Sequence, residues 1–199
     1  ELVSPARERY AAIVEELVGV VDRLAPPEGD IHRRNRRNAI WEEVRARGLE
    51  LDPANVSAAV ARGLSVIQGD ADTDLADYPS DSVDYAILSQ TLQTTRAPHL
   101  VLEQLLRIGR QAFVSFPNFA HWRIRLSLAT QGRMPVTRLL PESWYDTPNI
   151  HHVSIEDFRD LIAARGWACD GQWFLSGGKP TSRGMANLLA EHAVFLLRR

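Results

Sequence analysis

The chain has 199 residues, a net charge of −2, 45% hydrophobic and 24% charged residues. That length suits one ordinary domain with a real core, and the balance excludes a disordered or fibrous chain. A slightly acidic total argues against a general nucleic-acid binder, no apolar run is long enough for a membrane span, and the single cysteine, Cys169, rules out an internal disulfide or a cysteine-rich zinc site.

Residues 5–24 read as a helix, with Tyr10, Ile13, Val14, Leu17, Val18 and Val21 at three- and four-residue steps. A short strand over 17–21 is the open alternative. Ala25-Pro26-Pro27-Glu28-Gly29-Asp30 breaks the pattern. A basic stretch follows, with Arg33, Arg34, Arg36 and Arg37, leading into a helix that carries Ile40, Trp41 and Val44. A solvated helical face is the expectation for these arginines, since the total charge is slightly negative.

From residue 47 the pattern is regular. Residues 48–51 suit a strand, Asp52 an N-cap and Pro53 a first helical position, with a helix over 53–62 ended by Gly63. A strand over 64–68 completes a βαβ unit, hence a parallel pair. Strands are expected at 83–89 and 111–115, with a helix over 97–108 between them facing inward through Leu100, Val101, Leu105 and Ile108. Residues 119–131 read as a helix with Trp122 and Leu126 on one side. The stretch 132–153 is irregular. Ser154 then caps a helix, with Asp157 three residues on, apolar positions Ile155, Phe158 and Ile162, and a stop at Gly166. Strands at 167–175 and 192–197, joined through a turn region without a long helix, imply an antiparallel C-terminal edge on a mostly parallel α/β sheet.

Ligands in such sheets bind beyond the carboxyl ends of the strands. Glu50, Asp70, Gln90 and Asn118 stand at those positions. A carboxylate such as Glu50 can accept hydrogen bonds from ribose hydroxyls, and one such as Asp70, after Gly69, from an exocyclic amine of adenine. Each is equally compatible with an ordinary turn or cap. Trp144, Tyr145, Asp146, Asn149, His151 and His152 crowd into nine loop residues, a pattern suited to clamping a ligand or docking a partner. Adjacent histidines point apart, so no metal site is expected. No G-x-S-x-G elbow supports a hydrolase.

The chain resembles the MetW family of methionine biosynthesis proteins. The resemblance covers roughly residues 46–199. It rests on Arg47-Gly48-Leu49-Glu50-Leu51, GLSVIQGDADTDLADYP (63–79), ILSQTLQ (87–93), LLRIGRQAFVSFPNFAHWR (105–123), GRMPV (132–136), WYDTPNIHHVSIEDF (144–158) and ANLLAEHAVFLLRR (186–199). It implies a Rossmann-like, class I methyltransferase fold with S-adenosylmethionine as cofactor. Glu50 would meet the ribose, Asp70 and Ala71 the adenine, and Gln90 the methionine end. The loop residues Asn118, Trp144, Tyr145, Asn149 and His151 would face a substrate or partner. The family implies a role in methionine synthesis beside a homoserine O-acyltransferase (MetX-like), as an accessory subunit, or else methyl transfer to a small molecule. Family members carry a first strand and a D-x-G-C-G-x-G loop, whereas DIHRRNRRNAIWEEVRAR between Gly29 and Gly48 has no glycine. The first βα unit is therefore expected to be irregular or lost, with an atypical helical segment over 1–46 and the family domain over 47–199. No secretory leader is evident at the start, and a cytoplasmic location is the expectation.

Overall fold

The computed structural model describes residues 46–137 and 140–199. They fall into two compact units, one ending at Gln68 and the other spanning Gly69–Arg199. The helix or strand expected within 5–24, the arginine-rich stretch and the fate of the first βα unit lie outside the described residues.

In the first unit, β1 (Gly48–Glu50), α1 (Pro53–Val60) and β2 (Val66–Gln68) form the expected βαβ element. The strands are parallel, with Gly48 opposite Val66 and Glu50 opposite Gln68. Asp52 caps α1 by accepting the Ala54 N–H at 2.7 Å, and Pro53 occupies the first turn, where its missing N–H costs nothing. The helix is shorter than its sequence pattern, and the chain turns back through Gly63.

The second unit holds β3 (Val83–Ser89), α2 (Pro98–Ile108), β4 (Gly109–Pro117), α3 (Trp122–Gln131), α4 (Ile155–Arg165), β5 (Ala168–Ser176), β6 (Lys179–Pro180), α5 (Ala186–Leu189) and β7 (His192–Arg198). Its five strands run in the order β3-β4-β7-β5-β6. β3 and β4 are parallel, and β7 is antiparallel to both β4 and β5. The sheet is mixed, as expected, with its antiparallel pairs in the C-terminal part: β7 lies between β4 and β5, and the short β6 pairs antiparallel with β5 at the margin.

Burial explains this order. β4 and β7 are covered on both faces, so nearly every residue in them is apolar or small. On one face Phe116, Phe195 and Phe158 of α4 are fully buried, with Phe158 at 4.7 Å and 4.8 Å from the other two ring centroids. Such tilted and edge-to-face pairs add to the area they bury. On the other face Phe113, Val194 and Leu175 cluster with Trp173 and Leu196. α2 runs directly into β4 at Gly109, where an added Cβ would sit 2.8 Å from the Ala86 backbone nitrogen. Only glycine permits that approach.

α2 buries Val101, Leu102, Leu105, Leu106 and Ile108, whereas Leu100, expected inward, is 52% exposed. It lies outside the arc that those five define. In α3, Trp122 and Leu126 do share one side, and it is the outer one. Ile124 is the buried residue, packed with Phe119 and Leu140, while Trp122 and Leu126 are exposed. Two residues along a helix is about 200° of rotation, so a helix anchored by Ile124 turns both outward. α4 carries the full capping box, with Ser154 Oγ accepting the Asp157 N–H and Asp157 Oδ2 accepting the Ser154 N–H, each at 3.1 Å. Gly166 closes it in the left-handed conformation. No helix among the described residues is long and apolar enough to cross a membrane.

Candidate functional site

In the first unit Glu50 closes β1. Its Oε1 accepts the Asp52 N–H at 3.0 Å, which fixes the carboxylate at the turn into α1. It is half-buried.

The second unit opens on a hydrogen-bonded acidic turn. The Asp70 carbonyl accepts N–H groups from Thr73 and Asp74, and Asp70 Oδ1 accepts the Asp72 N–H at 2.9 Å. Asp74 Oδ2 in turn accepts the Asp70 N–H at 2.9 Å. The Thr73 hydroxyl and then that Asp70 amide hold the Asp74 carboxyl below the usual carboxylate range. Asp72 reaches across to the start of α2, where its oxygens accept the Arg96 N–H at 3.0 and 2.9 Å and the Ala97 N–H at 3.3 Å. Asp70 Oδ2 lies 3.8 Å from Arg96 Nη2. The Ala71 N–H takes no part in this turn's hydrogen bonds. Asp70 and Ala71 thus offer an acceptor and a donor in adjacent residues.

At the tip of β3, Gln90 adopts a left-handed conformation, with φ at 50°. For a non-glycine residue such backbone is strained and concentrates at functional turns. Ser115 of β4 holds it there, its carbonyl accepting the Gln90 N–H at 3.0 Å and its Oγ accepting from Gln90 Nε2 at 3.2 Å. Gln93, buried three residues on, donates Nε2 to the Gln90 carbonyl at 2.8 Å. Its own carbonyl accepts the N–H groups of Ile150 and His151 at 2.9 and 3.0 Å. The loop singled out by sequence is therefore tied to the strand tip by its backbone.

Beneath that loop is a cavity of about 260 Å³. Phe119, Met134, Val136, Leu140, Trp144 and Tyr145 give it apolar walls, and Glu142, Asn149 and His152 supply polar groups. Trp144 and Tyr145 are 78% and 69% exposed and stack edge to face at 5.6 Å. The two histidines diverge. His151 Nε2 lies 3.4 Å from the Arg96 carbonyl, while His152 lies edge-on to Phe119 at 4.8 Å and lines the cavity. Among the described residues no group of three metal-ligating side chains converges.

Asn118, at the end of β4, is fully buried. Its Nδ2 donates to the carbonyls of Asn187 and Ala190 at 3.1 and 2.9 Å, and its Oδ1 accepts the Ala120 N–H at 3.1 Å. Its Nδ2 pins β4 to the segment before β7, and its Oδ1 fixes the turn that follows β4. His121, which no sequence pattern marks, is also buried, and its Nδ1 caps α3 by accepting the Arg123 N–H at 3.4 Å. Burial lowers its pKa, outweighing Glu191, which raises it; Arg123 lowers it further. Lone histidines carry no cap signature in sequence. His152 and Gln93 had signals, an adjacent histidine pair and a strand-tip amide.

Residues 34–197 match the model of a family described as methionine biosynthesis protein MetW. The bifunctional methionine biosynthesis protein MetXA/MetW of Rhodopirellula baltica is 34% identical over 161 residues, which cover 79% of this chain. The match spans only 26% of that relative's length. Among solved structures, an S-adenosylmethionine-dependent methyltransferase of Mesorhizobium loti superposes with a TM-score of 0.54 at 18% identity, covering 77% of this chain and 79% of the other. A methyltransferase of Thermotoga maritima, described as a possible histamine N-methyltransferase, gives 0.57 at 17% identity, covering 96% and 89%. At these identities the likeness is one of fold, the Rossmann-like methyltransferase α/β fold.

Proposed function

Since the chain belongs to the methionine biosynthesis protein MetW family, we propose that it is an accessory module of a MetX-like homoserine O-acyltransferase, working in the cytoplasm. The observation that carries this reading is the relative whose name joins MetXA and MetW as one bifunctional protein. The exposed pair Trp144 and Tyr145, with Asn149 and His151 on the same loop, supports a docking role. Asn118 serves as the frame that holds the β4 end beneath it.

The methyltransferase fold implies S-adenosylmethionine, and the residues present fit it in part. Asp70 and Ala71 would take the adenine edge and Gln90 the methionine end. When bound, that cofactor supplies an electrophilic methyl group. What the chain contributes is binding and orientation. The unused Ala71 N–H beside the Asp70 carboxylate favours a second reading, an active methyltransferase on a small-molecule acceptor.

Calorimetry with S-adenosylmethionine, run beside co-purification with the acyltransferase, separates the two. Association with the acyltransferase and no heat from the cofactor supports the accessory role. Micromolar cofactor binding that Asp70→Ala weakens, without association, supports methyl transfer.

A further inference from the structure

α3 has two apolar sides. Ile124 packs inward on Phe119 and Leu140. Trp122, Leu126 and Ala129, spaced i, i+4 and i+7, form a second stripe on the opposite side, and all three are exposed. Trp122 is 41% and Leu126 52% exposed. A surface helix ordinarily turns charged and polar residues outward, and a contiguous exposed apolar patch marks an interaction site.

The charge on the helix itself is one-sided: Arg123 and Arg125 lie on α3, and no acidic residue does. The Arg123 guanidinium sits 5.4 Å from the Trp122 ring centroid, at the edge of the stripe. An apolar centre with a basic rim fits a partner surface that is apolar at its centre and edged with carboxylates.

We infer that the outer face of α3 is where the acyltransferase docks, through a partner surface that is apolar at its centre and bordered by acidic side chains. This rests on the accessory reading and deepens it. The helix, more than the Trp144–Tyr145 tip, supplies the buried centre of the contact, because an anchored helix loses less freedom on binding than a loop does.

The test is association of the full chain with the MetXA-type protein of the same organism, followed by light scattering and a titration at two salt concentrations. Leu126→Glu is the main variant, since an exposed helical position tolerates glutamate without loss of fold. Arg123→Glu probes the rim. Leu126→Glu is expected to weaken association at least tenfold, Arg123→Glu to weaken it several-fold at low salt and less at high salt, and Trp144→Ala to weaken it less than Leu126→Glu. Wild-type affinity in Leu126→Glu, with loss in Trp144→Ala, would assign docking to the loop and overturn the inference while leaving the accessory role standing. A wild-type self-dimer that Leu126→Glu dissolves would give the face to a second copy and overturn it too. No association of the wild-type chain would remove the accessory reading itself, and the inference with it.

Discussion

The centre of the five-stranded sheet and the stretch from Trp122 to Ile150 are both rich in large apolar side chains, and they use them in opposite ways. Phe116, Phe158 and Phe195 show almost no surface. Trp122, Leu126, Val136, Trp144 and Tyr145 are largely in solvent. Apolar content therefore does not distinguish core from surface in this chain. Position relative to a two-sided sheet does, since β4 and β7 have neighbours on both edges and cover on both faces, whereas α3 has cover on one side.

The contrast is broken most strongly from the core side. Phe195→Ala removes a ring that meets Phe116, Phe158 and Phe174. Its expected cost is about 3–5 kcal/mol, read by urea unfolding. A loss below about 1 kcal/mol would mean that the sheet centre is not packed as described. Next in size is Asn118→Ala, which leaves the Asn187 and Ala190 carbonyls and the Ala120 N–H without their partner. About 1–3 kcal/mol is expected, by the same measurement.

A smaller effect depends on pH. The folded pKa of His121 lies below its ordinary value, so the unfolded chain takes up the proton first as pH falls. The stability that neutral His121 contributes is complete above its unfolded pKa of about 6.5 and is lost as pH falls toward the folded value. Its Nδ1 must stay unprotonated to accept the Arg123 N–H, so α3 loses its cap over the same interval. An asparagine side chain caps without titrating, so the variant His121→Asn should flatten the decline seen in thermal unfolding between about pH 7 and 5. An unchanged pH profile would exclude this histidine as its source. The smallest change belongs to the exposed side. Trp144→Ala should alter the stability of the isolated chain by no more than about 0.5 kcal/mol, as a solvent-exposed position allows, and calorimetric scanning checks it.

Local signals in the sequence translated well. Asp52 with Pro53, and Ser154 with Asp157, name their helix starts because a cap is a contact between residues two or three apart. The apolar positions Ile155, Phe158 and Ile162 are all buried. What failed to translate needed long-range information. The insertion of β7 between β4 and β5 depends on which edges remain open once the earlier strands have paired. The facing of α3 was ambiguous because both of its sides carry apolar residues, and only Phe119 and Leu140 decide between them. Asn118 at a strand end reads the same whether its amide faces a ligand or, as here, three backbone groups. The left-handed turn at Gln90 had no sequence mark, since glycine or asparagine is the usual occupant.

The most direct measurement is the rate of homoserine acylation by the MetXA-type protein of the same organism, with and without an equimolar amount of this chain. The expected result is a stable complex whose acylation rate differs from that of the acyltransferase alone, with the difference reduced by Leu126→Glu. No complex at micromolar concentrations, together with an unchanged rate, would contradict the accessory role.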